Sequence, residues 1–192
     1  MSMNNFHSIL TQNVIKIFLS LFLFFLLTQC ASRYSQSDAD KILSTERVSA
    51  KTSPISFLIP QGWRVIDAND STFIDLWLIN KDYSSSLSVI PLHGGDTKQS
   101  FSRYVSVSKL SNKMKFKNEK IKIIDEDNEE INGIRTASYY FKNNKSLHLI
   151  SLFKFKGKFY ELTAWDKNLN YDESFQIKYL SKIQSAFISS IK

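Results

Sequence analysis

Histidine and cysteine, two side chains often used in nucleophilic and acid–base catalysis, are scarce in this chain. Its 192 residues contain His7, His93, His148 and a single cysteine, Cys30. The segment best suited to hydrolysis is His93-Gly94-Gly95-Asp96, because backbone N–H groups of a glycine-rich loop can stabilise an acyl oxyanion. The G-x-S-x-G motif that would supply a nucleophilic serine is absent. We therefore interpret His93 as a loop residue, and a hydrolase that uses His93 and Asp96 remains an alternative.

The acidic run Asp125-Glu126-Asp127-Asn128-Glu129-Glu130 is a second candidate for chemistry, because oxygen-rich loops bind calcium. The run departs from the EF-hand pattern: its sixth position is Glu130 instead of glycine, and the twelfth is Thr136 instead of glutamate. We interpret it as a charged row that protects an exposed strand edge, with a weak divalent-cation site as the alternative. Phosphate-loop, dinucleotide and zinc motifs are also absent from the sequence. We predict no catalytic residue, no cofactor and no metal site.

The N-terminus carries an export signal. Eleven residues from Ile17 to Leu27 are apolar except for Ser20, and Lys16 precedes them. This arrangement is typical of a secretory signal peptide. At about 1.5 Å per residue the run covers roughly half of a ~30 Å hydrocarbon core, so it is too short to span a membrane by itself. An uncleaved anchor that recruits residues before Lys16 is the alternative.

The segment Leu27-Thr28-Gln29-Cys30 follows directly. It resembles the lipobox of bacterial lipoproteins, although Gln29 stands where that pattern usually has Gly, Ala or Ser. The resemblance implies cleavage before Cys30 and lipid attachment to its sulfur. Acylation also suits a lone thiol that has no disulfide partner within an exported chain, and an intermolecular disulfide is the alternative. Because Ala31 and Ser32 follow, without the Asp that retains lipoproteins in the inner membrane, the resemblance favours the outer membrane.

The length leaves room for one domain behind this leader. We predict a signal peptide over 1–29, a flexible tether over 30–52 with a short helix over 37–48, and a folded domain over 53–192. The formal charge of +7 permits contact with anionic surfaces, whereas the export signal argues against nucleic acid as a partner. Five lysines precede the acidic run with only Glu119 opposing them; we interpret them as solvated, with contact to lipid head groups as the alternative. They are Lys113, Lys115, Lys117, Lys120 and Lys122.

The domain pattern predicts an antiparallel sheet with helices. Residues 55–59 read as a strand that ends at the turn Pro60-Gln61-Gly62, and Asn132-Gly133 indicates a hairpin. Further strands are predicted over 72–80, 86–92 and 120–124, followed by a meander through residue 165 in which His148 is a sheet residue. Apolar spacing predicts helices over 99–113 and 171–192. The fold class is therefore α+β in a single domain.

This element order resembles the PsbP-like α/β/α sandwich, shared by the photosystem extrinsic subunit, the Mog-type Ran-binding proteins and the DcrB group of bacterial lipoproteins. The likeness is carried by Phe57-Leu58-Ile59-Pro60-Gln61-Gly62-Trp63, by the meander from Ile134 to Trp165, and by Phe175 to Phe187. The resemblance implies a binding or assembly module without catalysis. We expect an envelope lipoprotein, held on a membrane by lipid on Cys30, that binds an envelope protein partner; a carrier of lipid or another small apolar ligand is a further alternative.

Overall fold

The computed structural model describes residues 42–67, 73–92, 101–116, 122–143, 145–167 and 172–192. A hairpin comes first, formed by β1 (Leu43–Ser49) and β2 (Ser56–Pro60). A seven-stranded antiparallel sheet has the spatial order β3-β4-β5-β9-β8-β7-β6. Two helices, α1 (Phe101–Lys115) and α2 (Glu173–Ser189), belong to the described part. The sheet strands are β3 (Trp63–Val65), β4 (Leu76–Asn80), β5 (Ser85–Leu92), β6 (Lys122–Ile131), β7 (Ile134–Lys142), β8 (Leu147–Phe155) and β9 (Lys158–Asp166).

Both faces of the sheet carry a hydrophobic core, because successive side chains of a strand point to opposite faces. On one face Leu149 and Phe153 of β8 join a cluster that includes Phe187 of α2. On the other face Ile150 and Leu152 of the same strand pack with Val105 of α1. The sheet therefore lies between two helices, and the predicted α+β sandwich is confirmed.

The predicted helix over 37–48 is wrong from Leu43 onward, because Leu43–Ser49 form a strand. Ile42 is helical, and residues 37–41 lie outside the described residues. Leu43 pairs with Pro60, and Ser49 pairs with Ser56. The Arg47 Nη1 group donates hydrogen bonds to the backbone oxygen of Ser56 at 3.0 Å and to the backbone oxygen of Ser190 at 2.9 Å. These contacts come from distant parts of the chain and outweigh the local helix preference. The folded unit thus includes residues within the predicted 30–52 tether.

The two turns with the strongest local signals form as predicted. Gly62 has φ +78° after Pro60-Gln61, and Asn132 and Gly133 have φ +50° and +78°. Two successive positive φ values define the tight hairpin turn that Asn-Gly favours. The Asn132 Nδ2 group also donates to the Ser189 oxygen at 3.1 Å, which joins this hairpin to the end of α2.

The acidic run lies in a strand at the edge of the sheet. Strand β6 continues through Ile131, beyond the predicted end at residue 124, and pairs with β7. Asp127, Asn128, Glu129 and Glu130 are exposed. Carboxylates are weak strand formers, which explains why the sequence pattern ended the strand early. A charged edge strand disfavours pairing with other chains, in agreement with our interpretation of the run.

Candidate functional site

A cavity of about 150 Å³ opens between the edge of the sheet and α2. Its mouth carries the two carboxylates of Asp127 and Glu129, and hydroxyl and amide groups supply most of the remaining wall. Cavities of this size in other proteins hold a molecule as large as benzene. The lining residues are Asp127, Glu129, Ile131, Ser138, Tyr140, Leu149, Ser151, Ser181, Gln184 and Ser185.

Strand and helix periodicity brings these groups together. Asp127 and Glu129 are two residues apart on β6, so their side chains share a face, and Asp127 pairs with Ser138 of β7. On α2, Gln184 and Ser185 follow Ser181 by three and four residues, which places all three on one side of that helix. The Tyr140 hydroxyl and the Ser181 hydroxyl hydrogen-bond to each other. The wall of the cavity is thus built from regular elements.

The floor of the cavity is a buried hydrogen-bond network. The Ser138 and Ser151 hydroxyl oxygens are 2.7 Å apart, and Ser151 donates to Gln184 Oε1 at 2.5 Å. Gln184 Nε2 in turn donates to the backbone oxygens of Leu149 at 2.9 Å and Leu162 at 3.1 Å. Because buried polar groups are costly unless they are paired, this network fixes α2 to strands β8 and β9. It leaves a rigid, polar floor.

The mouth of the cavity is anionic, although the whole protein has a formal charge of +7. Glu129 keeps contact with solvent, yet two effects raise the pKa of its carboxyl group. The larger effect is partial burial, and the second is the nearby charge of Asp127. A cation at the mouth would relieve this repulsion and favour the ionised form of Glu129. The arrangement can therefore accept an ammonium or guanidinium group, with the hydroxyl oxygens as further acceptors. Among the described residues no group of three or more His, Cys, Asp or Glu is placed to hold a metal ion.

A second buried network lies beneath α1, on the opposite face of the sheet. The Ser108 hydroxyl is 2.7 Å from the Tyr139 hydroxyl and donates to Glu161 Oε2 at 2.5 Å, and Asn112 Nδ2 donates to the Tyr139 hydroxyl at 2.8 Å. Burial raises the pKa of Tyr139 to about 12. All four side chains are buried, so we interpret the network as structural. It holds α1 in one rotation about its axis.

Of the histidines and the cysteine that the sequence singled out, the structure describes His148. Cys30, His7, His93 and Asp96 lie outside the described residues, so lipidation at Cys30 and the hydrolase alternative stay predictions. His148 is a sheet residue of β8, as expected. Its ring stacks on the Phe141 ring at 4.3 Å, and burial lowers its pKa to about 4. Because it shares the α1 face with Phe141, it does not reach the cavity.

Two of the five lysines, Lys113 and Lys115, lie in the last turn of α1 and are exposed. Lys122 begins β6, whereas Lys117 and Lys120 lie outside the described residues.

Ser138, Ser151 and Gln184 were not among the predicted functional residues, because isolated polar residues form no motif. The available signal is clearest for Ser151, which interrupts the apolar face that Leu147, Leu149 and Phe153 form on β8.

In the described part of the chain, no helix is long and apolar enough to cross a membrane. No protein-family model matches the sequence, and no curated protein is significantly similar to it.

Solved structures that are similar to this fold include the following two. One is the cyanobacterial PsbP protein (CyanoP) from Synechocystis sp. PCC 6803, with a TM-score of 0.56, 16% sequence identity, and coverage of 77% of this chain and 91% of that chain. The other is a protein from Bacteroides thetaiotaomicron VPI-5482, with a TM-score of 0.49, 9% identity, and coverage of 77% and 47% respectively. The likeness to CyanoP shows that this domain has a PsbP-like fold.

Proposed function

We propose that this protein is a non-catalytic accessory module of the cell envelope, held on a membrane by lipid on Cys30, whose domain binds a protein partner. The observation that carries the proposal is the cavity between β6 and α2. It presents two carboxylates above a rigid polar floor. The PsbP-like fold agrees with an accessory role, and the leader with its lipobox-like segment supports the anchor.

The chemistry of the cavity indicates what it would bind. A lysine or arginine side chain of a partner would place its cation between Asp127 and Glu129, where charge-assisted hydrogen bonds are stronger than neutral ones. The stem of that side chain would pass Ile131 and Leu149, the apolar part of the lining. The polar lining makes this cavity a poor site for lipid or another apolar ligand. We therefore propose a basic surface on the partner.

Neutralising the cavity mouth should abolish partner capture. We expect the double variant Asp127→Asn/Glu129→Gln to lose at least tenfold in capture, since tenfold corresponds to about 1.4 kcal/mol and hydrogen bonds to charged groups contribute about 1.5–3 kcal/mol. The measurement is crosslinked pull-down from intact envelopes, with the captured protein quantified by mass spectrometry.

Glu130→Gln is the matched control, because Glu130 is exposed on the same strand but points to the other face. This control should capture as much partner as the unmodified protein. Equal capture by the double variant would contradict the assignment of the cavity. Repeated recovery of the bait alone would contradict the binding function itself.

A further inference from the structure

Helix α1 has an apolar stripe that faces away from the domain. Val107, Leu110 and Met114 are 57%, 59% and 67% exposed. They are three and four residues apart, so they form one row along the helix. The opposite row, which includes Val105, Ser108 and Asn112, is buried against the sheet. The helix therefore exposes an apolar row that its packing against the sheet does not use.

The rotation of α1 is fixed by contacts on its buried side. Ser108 and Asn112 bond to the Tyr139 hydroxyl, and the Tyr104 ring stacks on the Phe159 ring at 4.1 Å. Turning Val107 or Leu110 inward would break these contacts and leave buried polar groups unpaired, which is costly. The outward stripe is thus a permanent feature of the folded domain.

The surface around the stripe is cationic. The fifteen residues of α1 include no carboxylate and three exposed cations, Arg103, Lys113 and Lys115. A fourth cation, Lys109, is partly buried and lies over the Tyr139 ring at 5.5 Å. Arg103 is four residues before Val107 and continues the stripe. Two exposed cations of the neighbouring strands lie at the start of the helix: Arg135 lies over the Phe101 ring at 5.1 Å, and Lys154 lies over the Phe159 ring at 5.3 Å.

We propose that this α1 face docks on an anionic membrane surface. Helices that lie in the plane of a bilayer typically have a row of apolar side chains flanked by lysine and arginine. The apolar row lies at the acyl boundary, and the cations lie among the head groups. Helix α1 itself carries cations and no carboxylate, so the helix complements a negative surface.

This inference rests on the proposed lipid anchor, which would hold the domain close to a membrane. Eleven residues lie between Cys30 and Ile42, the first described residue, and the twelve residue steps that join them span at most about 40 Å. The anchor and the α1 face would bind the same bilayer. Because the anchor keeps the domain near that bilayer, the effective concentration of membrane at α1 is high, and α1 binds more strongly than it would without the anchor. The cavity of β6 and α2 lies on the opposite face of the sheet and remains available to a partner.

The test uses the chain without its leader, residues 30–192 with Cys30→Ala, so that no lipid contributes. This chain is suitable because it contains every described residue, including the hairpin, the seven-stranded sheet and both helices. The probe is a vesicle with or without 30% phosphatidylglycerol in phosphatidylcholine, and binding is measured by cosedimentation at low and physiological salt. We expect binding to the anionic vesicle that weakens with salt, and little binding to pure phosphatidylcholine.

Three variants locate the binding surface. Lys113→Gln/Lys115→Gln should weaken binding roughly 30-fold, as expected for two lysines at a membrane surface. Leu110→Gln/Met114→Gln should weaken it as well, while the melting temperature stays unchanged because both side chains are exposed. Lys178→Gln/Lys182→Gln is the matched control: it removes the same charge from exposed positions of α2 and should retain binding.

Absence of binding to anionic vesicles would overturn the proposal. An equal loss of vesicle binding in the α1 and α2 lysine variants would also overturn it, because binding would then depend on net charge and not on the α1 face. If the α1 variants bind vesicles normally but lose partner capture in envelopes, the face belongs to a protein partner and the membrane proposal is wrong. Capture of the protein partner through Asp127 and Glu129 is measured in a separate assay, so a failure of membrane docking can be distinguished from a failure of the proposed function.

Discussion

Truncating Phe187 to alanine is expected to destabilise the domain by about 3–5 kcal/mol. Phe187 is fully buried on α2, and its ring stacks on Phe57 of β2 with centroids 4.2 Å apart and planes 4° from parallel. Alanine would leave a cavity in the core and remove the aromatic pair. Urea denaturation followed by circular dichroism measures the loss of free energy of unfolding.

Phe175→Ala is the matched control, because it removes the same ring from the same helix at a position that is 55% exposed. The spacing pattern predicts both phenylalanines on one apolar stripe, whereas the structure buries Phe187 and leaves Phe175 largely exposed. We expect Phe175→Ala to cost less than about 1 kcal/mol. Equal losses for the two variants would contradict the placement of α2 on the sheet.

Lowering the pH from 8 to 4 should cost the domain up to about 3 kcal/mol through His148. Burial lowers the pKa of His148 to about 4 in the folded chain, from an ordinary value of 6.5. The folded state therefore binds fewer protons than the unfolded state between these values. Its contribution to stability is present above pH 6.5 and is lost as the pH falls from 6.5 to 4.

The environment of His148 accounts for this pH dependence. Its ring lies against the rings of Phe141 and Phe116, and its Nε2 atom is 2.7 Å from the Ser146 hydroxyl. The variant His148→Asn removes the titrating group, so the difference in unfolding free energy between it and the unmodified protein should shrink as the pH falls. A difference that is independent of pH would show that the ring is not buried as described.

Local turn chemistry and periodicity were sufficient to predict much of the fold. Pro60-Gln61-Gly62 and Asn132-Gly133 specify their turns through backbone geometry alone, and the structure has both. The spacing of Phe101, Tyr104, Val105 and Ser108 correctly indicates the buried side of α1. These features depend on residues that are close in sequence, and a single sequence contains that information.

Features that depend on distant residues were not predictable in this way. Leu43 becomes a strand residue because it pairs with Pro60, and the cavity exists because β6 and α2, some fifty residues apart, lie together. Neither arrangement has a local signal. The outward stripe of α1 does have a local signal, the three- and four-residue spacing of Val107, Leu110 and Met114, but the sequence prediction used only the row that contains Val105.

The lipid anchor is the premise that both proposed surfaces share, because each is assigned to a domain that is held at a membrane. The most direct test is the intact mass of the protein extracted with detergent from native membranes, measured beside a Cys30→Ala variant. We predict the mass of residues 30–192 plus acyl chains, with that modification lost in the variant. An unmodified full-length chain, or one cleaved elsewhere, would contradict the account.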